Sequence, residues 1–156
     1  METSEKHLIF RVKKQLFTIE VKHVKTIIQI SRVFKVPQAP DFIIGVINLD
    51  GDVIPIVDAG IKLNMGKLEV TPITQIIILQ NEKSDDKKMQ LLGFLIDEVS
   101  DVSDIDPRKI QALPTSKYDF DERLVDGMHK VSDEFCMQVN VHNIFKGEIE
   151  DLLIQK

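Results

Sequence analysis

Residues 45–58 read GVINLDGDVIPIVD, two apolar runs joined by Asp50-Gly51. Asp-Gly between alternating apolar residues is the strongest short-range signal of a β-hairpin, because a type I′ turn needs positive φ at both central positions. Asp tolerates that conformation and Gly adopts it freely. The stretch therefore predicts a hairpin with Asp50 and Gly51 at its tip. Asp52 follows the tip and Asp58 closes the run, so the carboxylates could be ligands, catalysts or turn chemistry. A calcium loop needs acceptors at alternating positions and a glutamate at the twelfth. With Gly51 as its invariant glycine, Val46 would stand first, and that pattern fails. A pair of catalytic acids such as Asp50 and Asp58 would need to converge in a deep polar pocket.

Strand signals dominate on both sides of this hairpin. HLIFRV, then Lys13-Lys14, then QLFTIEV reads as a second hairpin, and TIIQI follows. Val21, Val24 and Ile27 sit three apart, which fits one turn of helix with a single face, or a bend between strands. Pro37 and Pro40 punctuate a loop. TQIIILQN and MQLLGFLIDEV are further strands, joined by the polar EKSDDKK. Pro107 and Pro114 bracket a short strand, RKIQAL, and the C-terminal NIFKGEIEDLLIQK predicts a helix.

A weak internal repeat organises these pieces. GVINLDGDVIPIVDAGIK (45–62) lies over GMHKVSDEFCMQVNVHNI (127–144), with Gly45 on Gly127 and Asp50-Gly51 on Ser132-Asp133. Upstream, QLFTIEVKHV resembles QLLGFLIDEVSDV, and Val36-Pro37 matches Leu113-Pro114. Two such halves predict an all-β fold, a single domain over 1–156 built of two intertwined small barrels at about residues 15–85 and 86–150, with the N-terminal strand and a C-terminal helix completing the pair. Neither half can bury much core alone, so a shared interface is expected.

Composition narrows the function. The chain has 156 residues, 43% of them hydrophobic, with a net charge of −5. No apolar run reaches membrane-spanning length, and METSEKHLIF lacks the form of a signal peptide, so a cytoplasmic protein with no membrane insertion is expected. The negative balance argues against general nucleic-acid binding. Charge is uneven: residues 6–35 hold eight Lys or Arg and one acid, whereas residues 97–106 hold five acids and no base. Such blocks are solvated faces or steer a partner of opposite sign. The four histidines, His7, His23, His129 and His142, form no zinc-type pair and are expected on the surface or half buried. Cys136, the single cysteine, sits in an apolar strand and reads as a buried small hydrophobe. No phosphate-cradle or nucleophile-elbow motif is present, and no cofactor is implied.

The order GVINL-x-G-x-x-IPIVD, a preceding V-P-x-x-P and the later GFLIDEV resemble the CheW family, adaptor proteins of bacterial chemotaxis arrays. The resemblance runs from about Leu8 to Leu153. It implies two five-stranded SH3-like barrels and a non-enzymatic scaffold that joins the regulatory domain of a CheA-type histidine kinase to the cytoplasmic tip of a methyl-accepting chemoreceptor, recruited to receptor arrays at the membrane. In the family a groove between the barrels takes the receptor tip, and the matching positions are Leu8, Val21, Val24, Ile27 and Val99. The family's turn reads NLRG, and its arginine pairs with a glutamate in the bend region. Here the turn is NLDG, and the glutamate's position matches Thr26. Thr26, Asn48, Asp50 and Gly51 are therefore the expected partner-contact turn, with its charge reversed. Three other readings stay open: a module of this kind in a non-chemotaxis pathway, weak self-association through a barrel edge, and a small β-barrel enzyme using Asp50 and Asp58.

Overall fold

The computed structural model describes residues 4–30, 32–82, 89–113 and 122–146. They form the strands Glu5–Val12 (β1), Gln15–Glu20 (β2), Val24–Gln29 (β3), Ile43–Leu49 (β4), Asp52–Asp58 (β5), Gln75–Glu82 (β6), Met89–Ile96 (β7), Glu98–Ile105 (β8), Val125–Val131 (β9) and Glu134–Val139 (β10). Two short helices, Ala59–Lys62 (α1) and Val141–Phe145 (α2), follow β5 and β10. The strands make two five-stranded sheets: a central one ordered β3-β6-β7-β5-β4 and a terminal one ordered β8-β1-β2-β10-β9. The all-β class and the pair of units are as the sequence predicts, and the five strands in each are as the family resemblance implies.

The repeat is visible in the backbone. Leu49 pairs with Asp52 across the turn, and Asp50 and Gly51 have φ of 53° and 90°. Val131 pairs with Glu134, and Ser132 and Asp133 have φ of 46° and 69°. Both hairpins thus close through two-residue turns with positive φ at each central position, the type I′ signature. Gly45 and Gly127 also match. A Cβ on Gly45 would stand 2.3 Å from the Phe34 carbonyl oxygen, and one on Gly127 would stand 2.3 Å from that of Gln111. These close approaches are where Phe34 bridges Val46 and Gln111 bridges Met128, each by two backbone hydrogen bonds. The chain beyond the edge strand thereby reaches round to the opposite edge of each sheet.

The two sheets draw their strands from both sides of residues 85 and 86. Strands β1–β5 correspond to β6–β10, yet each sheet takes the first two strands of one repeat and the last three of the other. The chain crosses between sheets at the 3-10 turn Val21–His23 and again at Asp97. Asp97 is anchored there: its backbone N–H donates to the Arg11 carbonyl at 3.0 Å, and its carboxylate accepts from the Lys13 N–H. The two halves are interlocked by exchanged hairpins.

One main core spans both sheets, as the shared interface predicted. Phe10 on β1 stacks on Phe17 of β2, with ring centroids 5.9 Å apart, and meets Phe94 of β7 edge-on at 6.3 Å. Val141, Ile144 and Phe145 of α2 are buried in the same core.

Two local expectations change. RKIQAL is not a strand: Pro107–Lys109 forms a 3-10 turn, followed by a single bridge at Gln111. Pro107 has a preset φ and no N–H to leave unpaired, and Asp106 caps the turn by accepting the Arg108 N–H at 2.9 Å. The C-terminal helix starts at Val141, because the Asn140 side chain accepts the Asn143 N–H and caps it. Residues 147–156 of the predicted helix, Pro114 of the matched Leu-Pro pair, and residues 83–88 of the polar loop lie outside the described residues.

Candidate functional site

Of the expected groove positions, Val24 and Ile27 lie on β3 and Val99 on β8, edge strands of the central and terminal sheets, whereas Leu8 lies on β1 and Val21 in the turn before β3. In a regular strand, residues three apart point to opposite faces. A bulge changes that. On β3, Val24 pairs with Leu79, Thr26 with Ile78 and Ile27 with Ile77, leaving Lys25 extra. Leu79 and Ile77 share a face, so Val24 and Ile27 share it too, and Thr26 lies on the other. The i, i+3 spacing is therefore the mark of a bulged strand.

The same device recurs on β8. Val102 pairs with Leu8, Asp101 with Ile9 and Val99 with Phe10, leaving Ser100 extra. Val99 and Val102 consequently share a face. In the repeat, Val99 and Val102 are the counterparts of Val24 and Ile27. Val24, Ile27 and Val99 are half buried against the main core, while Val102 is 48% exposed. Val102 is a residue that sequence reading missed. Its signal was present, because setting QLFTIEVKHV over QLLGFLIDEV places Ile27 on Val102. Leu8 is corrected in the other direction. Only 3% exposed, it belongs to the core and stands beside Val102 as its cross-strand partner. Val21, in the 3-10 turn before β3, is exposed. The two edges are tied together where the Val99 N–H donates to Gln75 Oε1 at 2.7 Å, since Gln75 pairs with Gln29 at the end of β3.

The edges differ in charge. Glu98, Asp101 and Asp104 are exposed on β8, whereas Lys22 in the turn before β3 and Lys25 on β3 are exposed. The acidic block is thus an edge strand, and its unpaired edge is blunted by charge. Asp101 also accepts the N–H of Val102 at 2.7 Å.

At the hairpin tip, Asn48 Oδ1 accepts the Gly51 N–H at 3.1 Å and stiffens the turn. Asp50 and Thr26 are exposed, and among the described residues neither side chain has a hydrogen bond or ion pair. Val53, opposite Asn48, is 67% exposed, and its repeat counterpart Phe135 is 59% exposed.

Asp58 has a different job. It is buried and caps α1: Oδ1 accepts the Ile61 N–H at 3.2 Å, and Oδ2 accepts the Leu68 N–H at 3.1 Å. Along β5, Asp58 stands about 20 Å from the Asp52 end, far beyond the spacing of a paired-carboxylate hydrolase, about 5–9.5 Å. Asp50 lies past Asp52, so the structure does not bring Asp50 and Asp58 together. Among the described residues, no three or more His, Cys, Asp or Glu are grouped to hold a metal, and no helix is long and apolar enough to cross a membrane.

Cys136 is buried as expected, and burial pushes its thiol up to about 11. That value is far from the depressed range of a nucleophilic cysteine. His7 and His129 are buried rather than on the surface, because strand register turns both onto the inner face of the terminal sheet.

Two interlocked barrels with matched bulged edges, and acids held apart or spent on capping, define an interaction module. Residues 6–148 match the family model described as a CheW-like domain, and the chain belongs to that family. It is 32% identical over 141 residues to the chemotaxis protein CheW of Rhizobium meliloti, covering 90% of this chain and 87% of that one. Against the chemotaxis protein CheW of Bacillus subtilis it is 32% identical over 114 residues, covering 73% and 69%. The crystal structure of the scaffolding protein TtCheW from Thermoanaerobacter tengcongensis superposes with a TM-score of 0.82 at 26% identity, covering 96% of this chain and 92% of that one.

Proposed function

We propose that this chain is a non-enzymatic scaffold of chemotaxis signalling that couples a chemoreceptor tip to the regulatory domain of a CheA-type histidine kinase. It works in the cytoplasm and is recruited to receptor arrays. The observation that carries this reading is the matched pair of bulged edges, which present Val24 and Ile27 on one side and Val99 and Val102 on the other. An amphipathic helix docks on such spaced apolar anchors. Each contact is weak, and array multivalency raises the effective affinity.

Ile27→Asp places a charge within this strip. Binding of a receptor-tip fragment should weaken by ten-fold or more, on the order expected when a contact anchor is lost. Calorimetric titration with circular dichroism checks it: unchanged affinity in a folded variant removes β3 from the site.

The turn supports a retargeted contact. Asp50 is exposed and unpaired where the family has arginine, so a basic group on the partner is its natural complement. Asp50→Arg should weaken binding to the cognate kinase domain several-fold while leaving stability within about 0.5 kcal/mol of the parent. Equal affinity for both forms would exclude the turn from the interface.

A further inference from the structure

The inner face of the terminal sheet holds four buried polar side chains: His7 on β1, Thr18 on β2, His129 on β9 and Gln138 on β10. Their hydrogen bonds fix the protonation of both rings. Thr18 Oγ1 donates its one proton to Gln138 Oε1 at 2.6 Å. The His129 Nε2 that lies 2.8 Å from the same oxygen must therefore be the donor. His7 Nδ1 lies 2.9 Å from the Glu5 carbonyl, which can only accept, so this nitrogen also carries its proton. Each ring keeps a second nitrogen, His7 Nε2 and His129 Nδ1, buried and without a hydrogen-bond partner. The ring centroids are 6.3 Å apart.

The repeat shows what the fold itself requires here. Gln138 pairs with Thr18 as Ile56 pairs with Gly93, and the antiparallel partners place Ile76 at the position of His7 and Ile47 at that of His129. The central sheet fills the same space with apolar groups: a Cβ on Gly93 would meet Ile56 Cδ1 at 2.3 Å and Ile76 Cγ2 at 2.9 Å. The same five-strand order forms around either filling, so the polar set is not needed to build the sheet.

We propose that His7, Thr18, Gln138 and His129 form a proton-sensitive latch, closed while both imidazoles are neutral, whose protonation opens the terminal sheet ahead of the central one. A proton added to either bare nitrogen creates a buried charged donor with no acceptor. It also places that charge beside a second imidazole. The proton binds readily only once the strands part. Burial holds His129 below the ordinary histidine value. The sign follows: the neutral form is favoured when folded, so stability is complete above about pH 6.5 and is lost as pH falls below it. Opening would also carry away Val99 and Val102, because β8 pairs with β1.

Other charges surround the quartet. Glu5 and Arg11 on β1, Glu20 on β2 and Glu134 on β10 share its face, as do Glu98 and Asp101 on β8. Asp126 and Lys130 of β9 lie on the opposite face. Glu20 is paired with Lys22 at 3.1 Å, and the neighbouring Glu20 carboxylate raises Glu5 above the ordinary carboxylate value. On the segment closing this barrel, Asp106 is paired with Arg108 at 3.0 Å, and Lys109 follows in the same turn.

The test compares the parent with the variant H7I/T18G/H129I/Q138I, which copies the central filling. Hydrogen exchange is followed by mass spectrometry from pH 8 to pH 5 and corrected for intrinsic rates. In the parent, the opening constant of β1, β2, β9 and β10 should rise about tenfold per pH unit below 6.5 for each histidine protonated on opening. β6 and β7 should lag, and the variant should lose the excess slope. Equal slopes in parent and variant would overturn the latch. Should the variant not fold, the histidine ring protons of the parent decide by NMR. His129 must stay neutral in the folded protein through pH 6, and its titration near 6.5 overturns the proposal.

Discussion

Phe10→Ala is expected to lower the stability of the whole chain by about 3–5 kcal/mol, the usual cost of deleting a buried aromatic ring. Phe10 is fully buried on β1 of the terminal sheet, stacked on Phe17 and set edge-on against Phe94 of the central sheet. The ring is therefore shared by both sheets. Aromatic pairs add about 0.5–1.5 kcal/mol beyond burial, and both pairs go together. The loss is a large part of the 5–15 kcal/mol typical of a folded domain. Because one main core spans both sheets and the chain crosses between them twice, the two are expected to unfold together at neutral pH. Urea denaturation, followed by far-ultraviolet circular dichroism and by exchange in β7 and β10, should show one transition moving to lower denaturant. Two separated transitions, with β10 lost before β7 at neutral pH, would mean that the sheets are independent.

Much of this architecture was legible in the sequence because its signals are local. Asp50-Gly51 between alternating apolar residues named a hairpin and its turn, and the glycine and turn matches at 127 and 132–133 named a second copy. What local pattern does not encode is where the chain lands after a crossover. The short link at Val21–His23 and the single residue Asp97 each send the next strand to the other sheet, so the structural units cut across the sequence repeats. The bulges were hidden for a related reason. An extra residue breaks the period of two, so the spacing of Val24 and Ile27 mimics a helical turn, whereas Val21 stands in a true 3-10 turn, as one of the two readings of that spacing had it. Reading one repeat against the other would have identified Val102 and flagged His7 and His129, since the counterparts of the two histidines are isoleucines that pack inside a sheet. Histidine defaults to the surface only when no such template exists.

The closing carboxylate of the opening hairpin carries the second large effect. Asp58→Ala should destabilise the chain by about 2–4 kcal/mol, from a lost helix cap of about 1 kcal/mol and a lost bond from a buried N–H to a charged acceptor of about 1.5–3 kcal/mol. Alanine leaves the Ile61 and Leu68 N–H groups without their acceptors, and the Leu68 group is buried. The cap positions a core segment as well as a helix end, since Leu63 and Leu68 both belong to the main core. The repeat supplies the graded control. At the matching position Asn140 caps α2 with a neutral amide, its oxygen accepting from Asn143 at 2.9 Å and its nitrogen donating to Asp126 at 2.8 Å. Asp58→Asn keeps one acceptor and loses the other, so its cost should fall between the parent and Asp58→Ala. Urea midpoints of the three proteins settle the order. An alanine variant within about 0.5 kcal/mol of the parent, the range of a neutral surface change, would free Asp58 from its structural role and reopen the question of what a buried carboxylate does at the end of that strand.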